Sequence, residues 1–460
     1  MHLNTVLLMS GTATKVLQLF ASLSILIVLH EFGHFFFARL FKTRVEKFYL
    51  FFDFLFPISS LLNFSLFKKK IGDTEYGIGW FPLGGYVKIA GMVDESMDKD
   101  QMALPPQPWE YRSKKAWQRL FIMLGGIIVN VLLAIVIYIC VFGIYGEEYL
   151  PAQNAKYGIM VDSLAKSIGL HNGDMVMGID GKPVTRFDDI APDIVMNEAK
   201  NIQLKRDGQD VTIAVVPGTI HSIIKGKRHS FINTRIPTVV YDVAKGSEAS
   251  KMGLQEGDSV VGINNMQTPF YDQFDSVKRS LAGQPIAVAI YRKGQPQTLT
   301  GVVPADKSLG FHTNPNLDKF FKMETINYSF GQSIVKGFSY TFEKFNDYFS
   351  SLKMIFTSKE VKASESVGGI ISFGQIFPSE FNMERFLDLT AFVSIILAFM
   401  NLLPIPGLDG GYVIFLLFEI ISGRQVSEKV MERATSVGLI LLLALMVYAN
   451  GMDIFRLFKH

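Results

Sequence analysis

Four long apolar runs dominate this sequence and restrict the folds open to it. They cover Val16–Phe37, Leu120–Tyr145, Phe386–Leu403 with a broken continuation to Ile421, and Ala434–Ala449. About 20 apolar residues are needed for a helix to cross the hydrocarbon core of a bilayer. A mean hydropathy of +0.25 points the same way. We therefore expect a polytopic α-helical membrane protein with four transmembrane helices.

Basic residues beside these runs predict the topology, because short loops rich in Lys and Arg stay cytoplasmic. The loop between the first two runs is basic at both ends, and so is the short loop between the last two. The residues are Arg39, Lys42, Arg44, Lys47, Arg112, Lys114, Lys115, Arg119, Arg424, Lys429 and Arg433. Both loops are predicted to be cytoplasmic, and residues 150–384 extracytoplasmic. The first run lacks a small-residue cleavage site, so we expect a retained helix rather than a cleaved signal.

Charge and cysteine content exclude several other classes. The net charge is +3, and no basic block is longer than Lys68–Lys70, which argues against nucleic acid as a partner. The one cysteine, Cys140, allows neither an internal disulfide nor a cysteine-based zinc site. Any metal must therefore be bound by histidine and carboxylate.

An internal repeat occupies the long polar segment. Residues 167–181 match residues 251–265, and each copy continues with alternating strands around a Gly-containing turn. The shared pattern Gly-Leu-x-x-Gly-Asp-x-Val-x-x-Ile resembles PDZ domains, which bind extended peptides at a sheet edge. Two PDZ-like α+β domains are predicted, at 151–235 and 236–316. The alternative is a pair of spacers that bind no ligand.

A third kind of pattern follows the second copy. Aromatic and aliphatic residues recur at spacings of three and four, which predicts one apolar helix face. They include Phe330, Ile334, Phe338, Phe342, Phe345 and Phe349. Such a face could lie on the membrane surface or pack against the second PDZ-like domain, and periodicity does not decide between them.

The motif His30-Glu31-Phe32-Gly33-His34 ends the first apolar run. On a helix both imidazoles lie on one face, where they can bind one Zn²⁺ with Glu31 beside the attacking water. Ionisable residues are unfavourable in lipid and indicate a functional site by default. The alternative is that they cap the helix at the interface and bind nothing.

A catalytic zinc also needs a third protein ligand and an open position. Prolines and glycines interrupt the third apolar run at Asn401–Tyr412, a segment that carries one carboxylate, Asp409. Broken helices at membrane depth are tolerated where they line a cavity. Asp409 is therefore the predicted third ligand. It could instead, or in addition, cap the helix that begins near Tyr412.

Together these features resemble the site-2 proteases, the M50 intramembrane zinc metalloproteases. Specifically, the chain resembles the bacterial regulator-of-sigma-E protease type with two PDZ domains. The resemblance covers nearly the whole chain and follows the family's order of features. These are the zinc motif, Gly79–Lys88, Trp117–Leu120 with Asn130, the tandem repeat, and Asn401–Gly411.

The resemblance implies an intramembrane zinc endopeptidase in which His30, His34 and Asp409 bind Zn²⁺. It further implies that Glu31 is the catalytic acid and base and that Asn401 contacts the substrate. The implied location is the bacterial inner membrane, with the active site toward the cytoplasm and the PDZ-like domains in the periplasm. The implied substrates are single-span membrane proteins, such as an anti-sigma factor or a remnant signal peptide, after a first extracytoplasmic cut.

Residues 76–89 alternate on both sides of Pro-Leu-Gly-Gly, which predicts a β-hairpin. Its open edge could hold an unwound substrate as an extended strand, and the resemblance implies that it is membrane-associated. The predicted substrate-binding residues of this segment are Gly77, Gly79, Trp80, Gly84, Gly85 and Tyr86. The alternative is an ordinary cytoplasmic hairpin.

The chain departs from the family pattern at two places near the site. Phe51–Phe67 replaces the usual Gly-Phe-Gly-like segment, so a gate there could be built differently. Gly125-Gly126-Ile127 stands where Ala-Gly-Pro is usual. Neither change touches a predicted ligand.

The predicted organisation has five parts. Spans one and two and their cytoplasmic loop occupy 1–150, the PDZ-like domains follow, an amphipathic segment covers 317–384, and spans three and four lie in 385–460. Expected partners are transmembrane substrates, the lipid bilayer and possible peptide ligands of the PDZ-like domains. Two other classes compete with a protease. A metal transporter would show repeated spans and a polar pathway, and a membrane-anchored PDZ scaffold would not need the zinc motif.

Overall fold

Long helices and short strands alternate in blocks along this chain. The computed structural model describes residues 11–54, 62–82, 84–92, 105–225, 231–314, 316–357 and 369–458. Leu83, within the predicted hairpin, and residues 55–61 of the predicted gate lie outside these ranges. The helices are α1 Gly11–Leu40, α2 Ala116–Ile144, α3 Ser163–Ser167, α4 Ile190–Met196, α5 Thr219–Lys225, α6 Glu248–Met252, α7 Tyr271–Ser280, α8 Phe330–Thr357, α9 Ile370–Gly374, α10 Met383–Leu402, α11 Asp409–Ser422 and α12 Glu428–Phe458.

The strands are mostly short and fall between α1 and α8. They are β1 Val45–Leu50, β2 Ser65–Ile71, β3 Thr74–Gly79, β4 Tyr86–Ile89, β5 Glu147–Tyr149, β6 Ile159–Val161, β7 Met175–Ile179, β8 Lys182–Pro183, β9 Asn201–Arg206, β10 Gln209–Ala214, β11 Ile232–Thr234, β12 Thr238–Val243, β13 Ser259–Ile263, β14 Met266–Gln267, β15 Pro285–Arg292, β16 Gln295–Val302, β17 Phe311–Thr313 and β18 Glu324–Ile326. The chain forms two units. The first contains the chain up to Gly146, Asn327–Ser350 and the C-terminal helices, and the second contains Glu147–Ile326 and the end of α8 from Ser351.

Four helices of the first unit are long and apolar enough to cross a membrane. Within the described part of the chain they are Gly11–Leu40, Ala116–Ile144, Met383–Leu402 and Lys429–Phe455. Each covers one of the four predicted runs to within one residue, so the prediction of four candidate spans is confirmed. The continuation of the third run is a separate helix, α11, which begins at Asp409.

Helix α2 is the central helix of this unit and contacts α1, α10 and α11. Small side chains allow close approach, since Ala134 of α2 and Ala391 of α10 are both fully buried in their shared core. Close packing of small residues is how membrane helices associate where lipid offers no hydrophobic driving force. The spans are thus packed tightly enough to fix the positions of polar groups between them.

Helix α8 also packs on these spans. Tyr340 lies edge-on to Tyr138 and Phe142 of α2, with ring centroids 4.9 and 5.2 Å apart. Phe345 contacts Phe399 of α10. Most of the predicted aromatic face is exposed, namely Phe330, Ile334, Phe338, Phe342 and Phe349. The other helices of its unit therefore leave most of that face uncovered, with Phe345 as the exception.

The segment between α1 and α2 forms a sheet that corrects the predicted hairpin. The strand order is β2-β3-β1-β4. Strands β3 and β4 fall where the alternation placed them, but they do not pair with each other, because β1 lies between them. Strand β1 runs parallel to β3 and antiparallel to β4. The actual hairpin joins β2 to β3, through a two-residue turn in which Gly72 has a φ of +60°.

The second unit contains two copies of one arrangement of strands. The first copy has the sheet β10-β9-β7-β8 and the pair β6-β11. The second has β16-β15-β13-β12-β17, with β14 beside β13. Each copy surrounds its own apolar core, centred on residues such as Leu204 in the first and Val288 in the second. The repeated sequence therefore produces repeated structure.

The shared Gly-Asp of the repeat has a structural explanation. Asp174 accepts two hydrogen bonds from Arg206, at 2.8 and 2.7 Å, and Asp258 accepts two from Arg292, at 2.8 and 2.6 Å. Each arginine also donates to a backbone carbonyl of the preceding turn, at Gly169 or Gly253. Both aspartates are buried, and a bidentate pairing of this kind is stronger than a single neutral hydrogen bond. The pair connects the Gly-Asp turn to the central strand in both copies.

Two further contacts hold the second unit together. Asp272 of α7 accepts hydrogen bonds from Arg235, between the copies, and from Asn172 of the first copy, at 3.0 and 2.7 Å. Strand β5, at the start of the unit, pairs antiparallel with β18 at its end, with Tyr149 opposite Glu324. The chain therefore enters and leaves this unit at adjacent positions.

Candidate active site

Three predicted ligands converge in the first unit. Nε2 of His30 and Nε2 of His34 are 3.3 Å apart. Oδ2 of Asp409 lies 3.4 Å from the first nitrogen and 3.3 Å from the second. The three atoms form a nearly equilateral triangle between α1 and the start of α11.

These distances fit a zinc ion. Ligand atoms about 2.0–2.2 Å from a tetrahedral Zn²⁺ are separated from one another by roughly 3.3–3.5 Å. A direct hydrogen bond between an imidazolium and a carboxylate would be shorter, about 2.7–2.9 Å. Oδ2 of Asp409 is buried and has no hydrogen-bond partner among the described residues. The group His30, His34 and Asp409 can therefore hold a metal ion with one position open.

Glycines on α1 and α2 create the space for this site. A side chain at Gly33 would collide with the backbone of Gly125, and one at Gly125 would collide with the backbone of Gly33. At Gly126, a β-carbon would lie 2.6 Å from Nε2 of His34 and closer still to the ring of His30. Gly126 agrees with the Ala-Gly-Pro pattern, and the two departures, Gly125 and Ile127, lie on either side of it. Backbone contact between α1 and α2 leaves room for two imidazoles and little else.

A break in the helix brings Asp409 to the histidines. Helix α10 ends at Leu402, and the chain resumes as α11 at Asp409. Pro404 and Pro406 have no N–H group, so the helix cannot continue through them, and Gly407 has a φ of +100°. Leu408 occupies the N-cap position and Asp409 is the first helical residue. The carboxylate therefore faces the imidazoles, and the alternative role as the N-cap of this helix belongs to the position of Leu408 instead.

Glu31 faces the same cavity as the three ligands. The cavity has a volume of about 410 Å³ and is open on one side. The backbone of Val87 in β4 hydrogen-bonds to Glu31, and a β-carbon at Gly85 would lie 3.5 Å from its Cγ. Strand β4 thus holds the predicted acid and base against the metal position.

The predicted substrate-binding residues divide into two groups. Asn401 lines the cavity, and its Nδ2 lies 3.5 Å from Nε2 of His30. Gly84, Gly85 and Tyr86 also line it. They belong to β4 and the turn before it, so the start of β4 lies at the site.

Gly77, Gly79 and Trp80 do not line this cavity. Gly77 lies against the ring of Tyr49 and Gly79 against the backbone of Phe52, where side chains would collide. The indole of Trp80 stacks on Phe64 and donates to the carbonyl of Leu62. These three residues support β1 and its neighbours rather than face the metal position.

Sequence reasoning missed β1 and the polar network that joins it to β4. Tyr86 donates to Asp53, which also pairs with Lys47. Tyr49 stacks on Tyr86 and donates to Glu75 at 2.7 Å. Burial raises the pKa of Tyr49 to about 12, so its hydroxyl stays protonated and available as a donor. The β-branched and aromatic residues Val45, Phe48 and Tyr49 of β1 were the signal that could have identified this strand.

Comparison with known proteins identifies the class that this fold and site define. The sequence matches peptidase family M50 over residues 18–445, and the chain belongs to that family. Protease RseP of Yersinia pestis is 30% identical over 476 residues, which cover 95% of this chain and 97% of the relative. Regulator of sigma-E protease RseP of Escherichia coli K12 is 29% identical over 460 residues, with the same coverage. The chain is therefore a zinc metalloprotease similar to the RseP proteins.

Proposed function

We propose that this protein is an intramembrane endopeptidase that cuts single-span membrane proteins after a first extracytoplasmic cut. The observation that carries the proposal is the convergence of His30, His34 and Asp409 beside Glu31, on helices apolar enough to span a bilayer. The names of the similar proteins support regulated proteolysis in a sigma-E pathway. An anti-sigma factor or a remnant signal peptide would be a substrate of this type.

The residues of the cavity can each take a distinct role in peptide hydrolysis. When bound, zinc supplies Lewis-acid polarisation of a carbonyl and acidifies water. Glu31 takes the proton of the attacking water and delivers it to the leaving amine. Asn401 is placed to donate a hydrogen bond to the substrate beside His30. No covalent intermediate with the protein is required.

Strand β4 offers a way to present the peptide bond. A transmembrane helix shields its carbonyls, so the substrate must unwind before water can attack. Strand β4 pairs only with β1 among the described strands, and its other edge faces Glu31. An unwound substrate can add to this edge as an extended strand. Gly84 and Gly85 leave space for its backbone beside the metal position.

The experiment that tests the proposal is Glu31→Gln. Full-length protein in detergent is incubated with a single-span substrate lacking its ectodomain, and zinc content is measured on the same sample. We expect cleavage to fall by about 10²–10⁴-fold, because general acid and base catalysis is lost, while zinc is retained. Glu256→Gln, an exposed change in the second unit, is the matched control and should cleave normally.

Retained cleavage by the Glu31→Gln variant would contradict the proposal. Metal flux into vesicles that survives the substitution would instead favour the transporter class. A scaffold would show neither cleavage nor a bound zinc ion.

We further propose that the second unit filters substrates by size from the extracytoplasmic side, with its two copies acting as PDZ-like domains. Strands β11 and β17 each pair on one side only among the described strands, so peptide ligands could add there. The supporting observation for a filter is that β5 pairs with β18, so the unit is inserted at one point of the chain.

Because β5 and β18 pair with each other, the residues between them can be deleted while the two ends stay adjacent. Residues 151–322 are replaced by a linker of four Gly and Ser residues. The deleted protein should cleave a substrate with an intact ectodomain, which the full chain leaves uncut, and both should cleave the shortened substrate. Continued exclusion of the intact substrate by the deleted protein would refute the filter without affecting the proposed chemistry.

A further inference from the structure

Asn130 is a buried polar residue of α2 to which the proposed chemistry gives no task. It is completely buried in the first unit. Its Nδ2 atom lies 3.1 Å from Nδ1 of His30. Its Oδ1 atom is buried and has no hydrogen-bond partner among the described residues. A buried, unpaired amide oxygen is unfavourable, so its position calls for a reason.

The chemistry of the two side chains determines which amide atom faces the ring of His30. Nε2 of His30 points to Asp409 and His34, so Nε2 is the nitrogen that would bind a metal. The other nitrogen, Nδ1, then carries the ring proton and must donate. An amide NH₂ also only donates, so Nδ2 cannot be its partner. A half-turn of the Asn130 amide exchanges its oxygen and nitrogen, and Oδ1 then accepts from Nδ1–H.

His34 also has an acceptor beside its Nδ1 atom, but this acceptor is a backbone carbonyl. Nδ1 of His34 lies 2.8 Å from the backbone carbonyl of Ile122, which can only accept. That contact fixes the proton on Nδ1 of His34 and leaves Nε2 free. Ile122, Gly126 and Asn130 are four residues apart, so they share one face of α2. Along this face the carbonyl of Ile122, the space for the imidazoles at Gly126 and the side chain of Asn130 follow one another.

We infer that Asn130 is a positioning residue that accepts a hydrogen bond from Nδ1–H of His30 and thereby fixes Nε2 as the metal-binding nitrogen. The inference rests on the zinc ligands proposed above. Partners of this kind orient metal-binding histidines and increase the basicity of the ring, and their loss typically weakens metal binding by about 10–100-fold.

The test compares two substitutions of similar size in the full-length protein in detergent. Asn130→Leu keeps the volume and removes the acceptor, whereas Asn130→Asp keeps an acceptor. Zinc affinity is measured by competition with a chelator, on the fraction that elutes as native protein, so the readout is independent of cleavage. We expect Asn130→Leu to bind zinc about 10–100-fold more weakly and Asn130→Asp to bind within a few-fold of the parent.

Ser394→Ala is the matched control. Ser394 donates to the backbone carbonyl of Asn130 at 2.8 Å and is equally buried, and within the described part of the chain it makes no hydrogen bond to either histidine. We expect this variant to bind zinc like the parent. Parental affinity in Asn130→Leu, or equal weakening in Asn130→Asp, would overturn the inference.

One further variant separates this inference from the proposed ligand set. His30→Ala should lose the zinc ion. If zinc remains bound at parental affinity in His30→Ala, the ligand set itself is wrong and the proposed function fails with it. If His30→Ala loses zinc but Asn130→Leu does not, only the role of Asn130 is refuted.

Discussion

The two units bury carboxylates in two different ways. In the second unit, Asp174 and Asp258 each accept two hydrogen bonds from one arginine and a third from a backbone N–H. In the first unit, Asp409 lies 3.3 and 3.4 Å from two imidazole nitrogens. Its Oδ2 has no hydrogen-bond partner among the described residues.

The difference separates a structural carboxylate from a ligand. An arginine fork supplies the positive charge and fills the lone pairs of a carboxylate, so the pair is complete without any further ion. Two neutral histidines supply lone pairs of their own and no charge. Beside two neutral rings, the negative charge of such a carboxylate is balanced only when a cation binds between it and the rings. The same residue type thus stabilises one unit and provides chemistry in the other.

The largest effect on this comparison is expected from the substitution Asp409→Asn. The change removes the charge of the third ligand and keeps its volume. We expect zinc to be lost and cleavage to fall by about 10³-fold or more, because several kcal/mol of transition-state stabilisation depend on the metal. Thermal unfolding of the chelated protein should be unchanged or shifted to higher temperature. Metal analysis that finds zinc still bound would contradict the assignment.

The matched change in the second unit is Asp258→Ala. It leaves Arg292 without its partner, and we expect the second unit to lose about 3 kcal/mol of unfolding free energy. Arg292 retains some access to water, with 22% of its side chain exposed, which keeps the loss at the lower end of the usual range for a broken buried pair. Pulse proteolysis in urea would measure it, and zinc affinity should not change. Asp174→Ala should behave alike, since the two copies have the same contacts.

The smallest effect is expected at Asp275, a partly exposed carboxylate of the second copy. Burial raises the pKa of Asp275, but hydrogen bonds from Lys278 and Arg279 outweigh it, so its pKa lies below the usual value. A lowered pKa stabilises the fold above the unfolded pKa of about 3.9, and this contribution is lost as the pH falls through the folded value.

Asp275→Asn should therefore lower the unfolding free energy by under about 1 kcal/mol at pH 7. At a pH below the folded pKa of Asp275 the variant and the parent should be equally stable with respect to this residue. Urea unfolding at the two pH values measures the difference. A larger loss of unfolding free energy at the lower pH would contradict a lowered pKa for Asp275.

Much of the site could be predicted from sequence because its parts are local signals. The spacing of His30 and His34 places both on one helix face, and the break before Asp409 is marked by two prolines and several glycines. The four spans are equally local, since length and hydropathy identify them. The contact between Asp409 and the histidines needed one further assumption, that a single zinc ion requires a third ligand.

The pairing of strands could not be predicted in the same way. Alternation located β3 and β4, but a period of two says nothing about which strand lies beside which. Strand β1 lies between them because the chain passes from one side of β1 to the other between Gly79 and Tyr86. The sequence of that short segment does not reveal this long-range arrangement. Asn130 was visible as a polar residue in an apolar helix. Its contact with His30 depends on where α2 crosses α1, which the sequence alone does not determine.

The contact between Gly33 and Gly125 has a mechanical consequence. Where two helices meet through their backbones, no side chain can change rotamer to let them separate or slide. Helices α1 and α2 should therefore move as one rigid part, carrying both histidines and Asn130 with them. Any opening that admits a substrate has to come from parts that meet this pair through side chains, such as β4, α10 and α11. Motion during turnover should then change the distance from Asp409 to the histidines, and not the distance between the histidines.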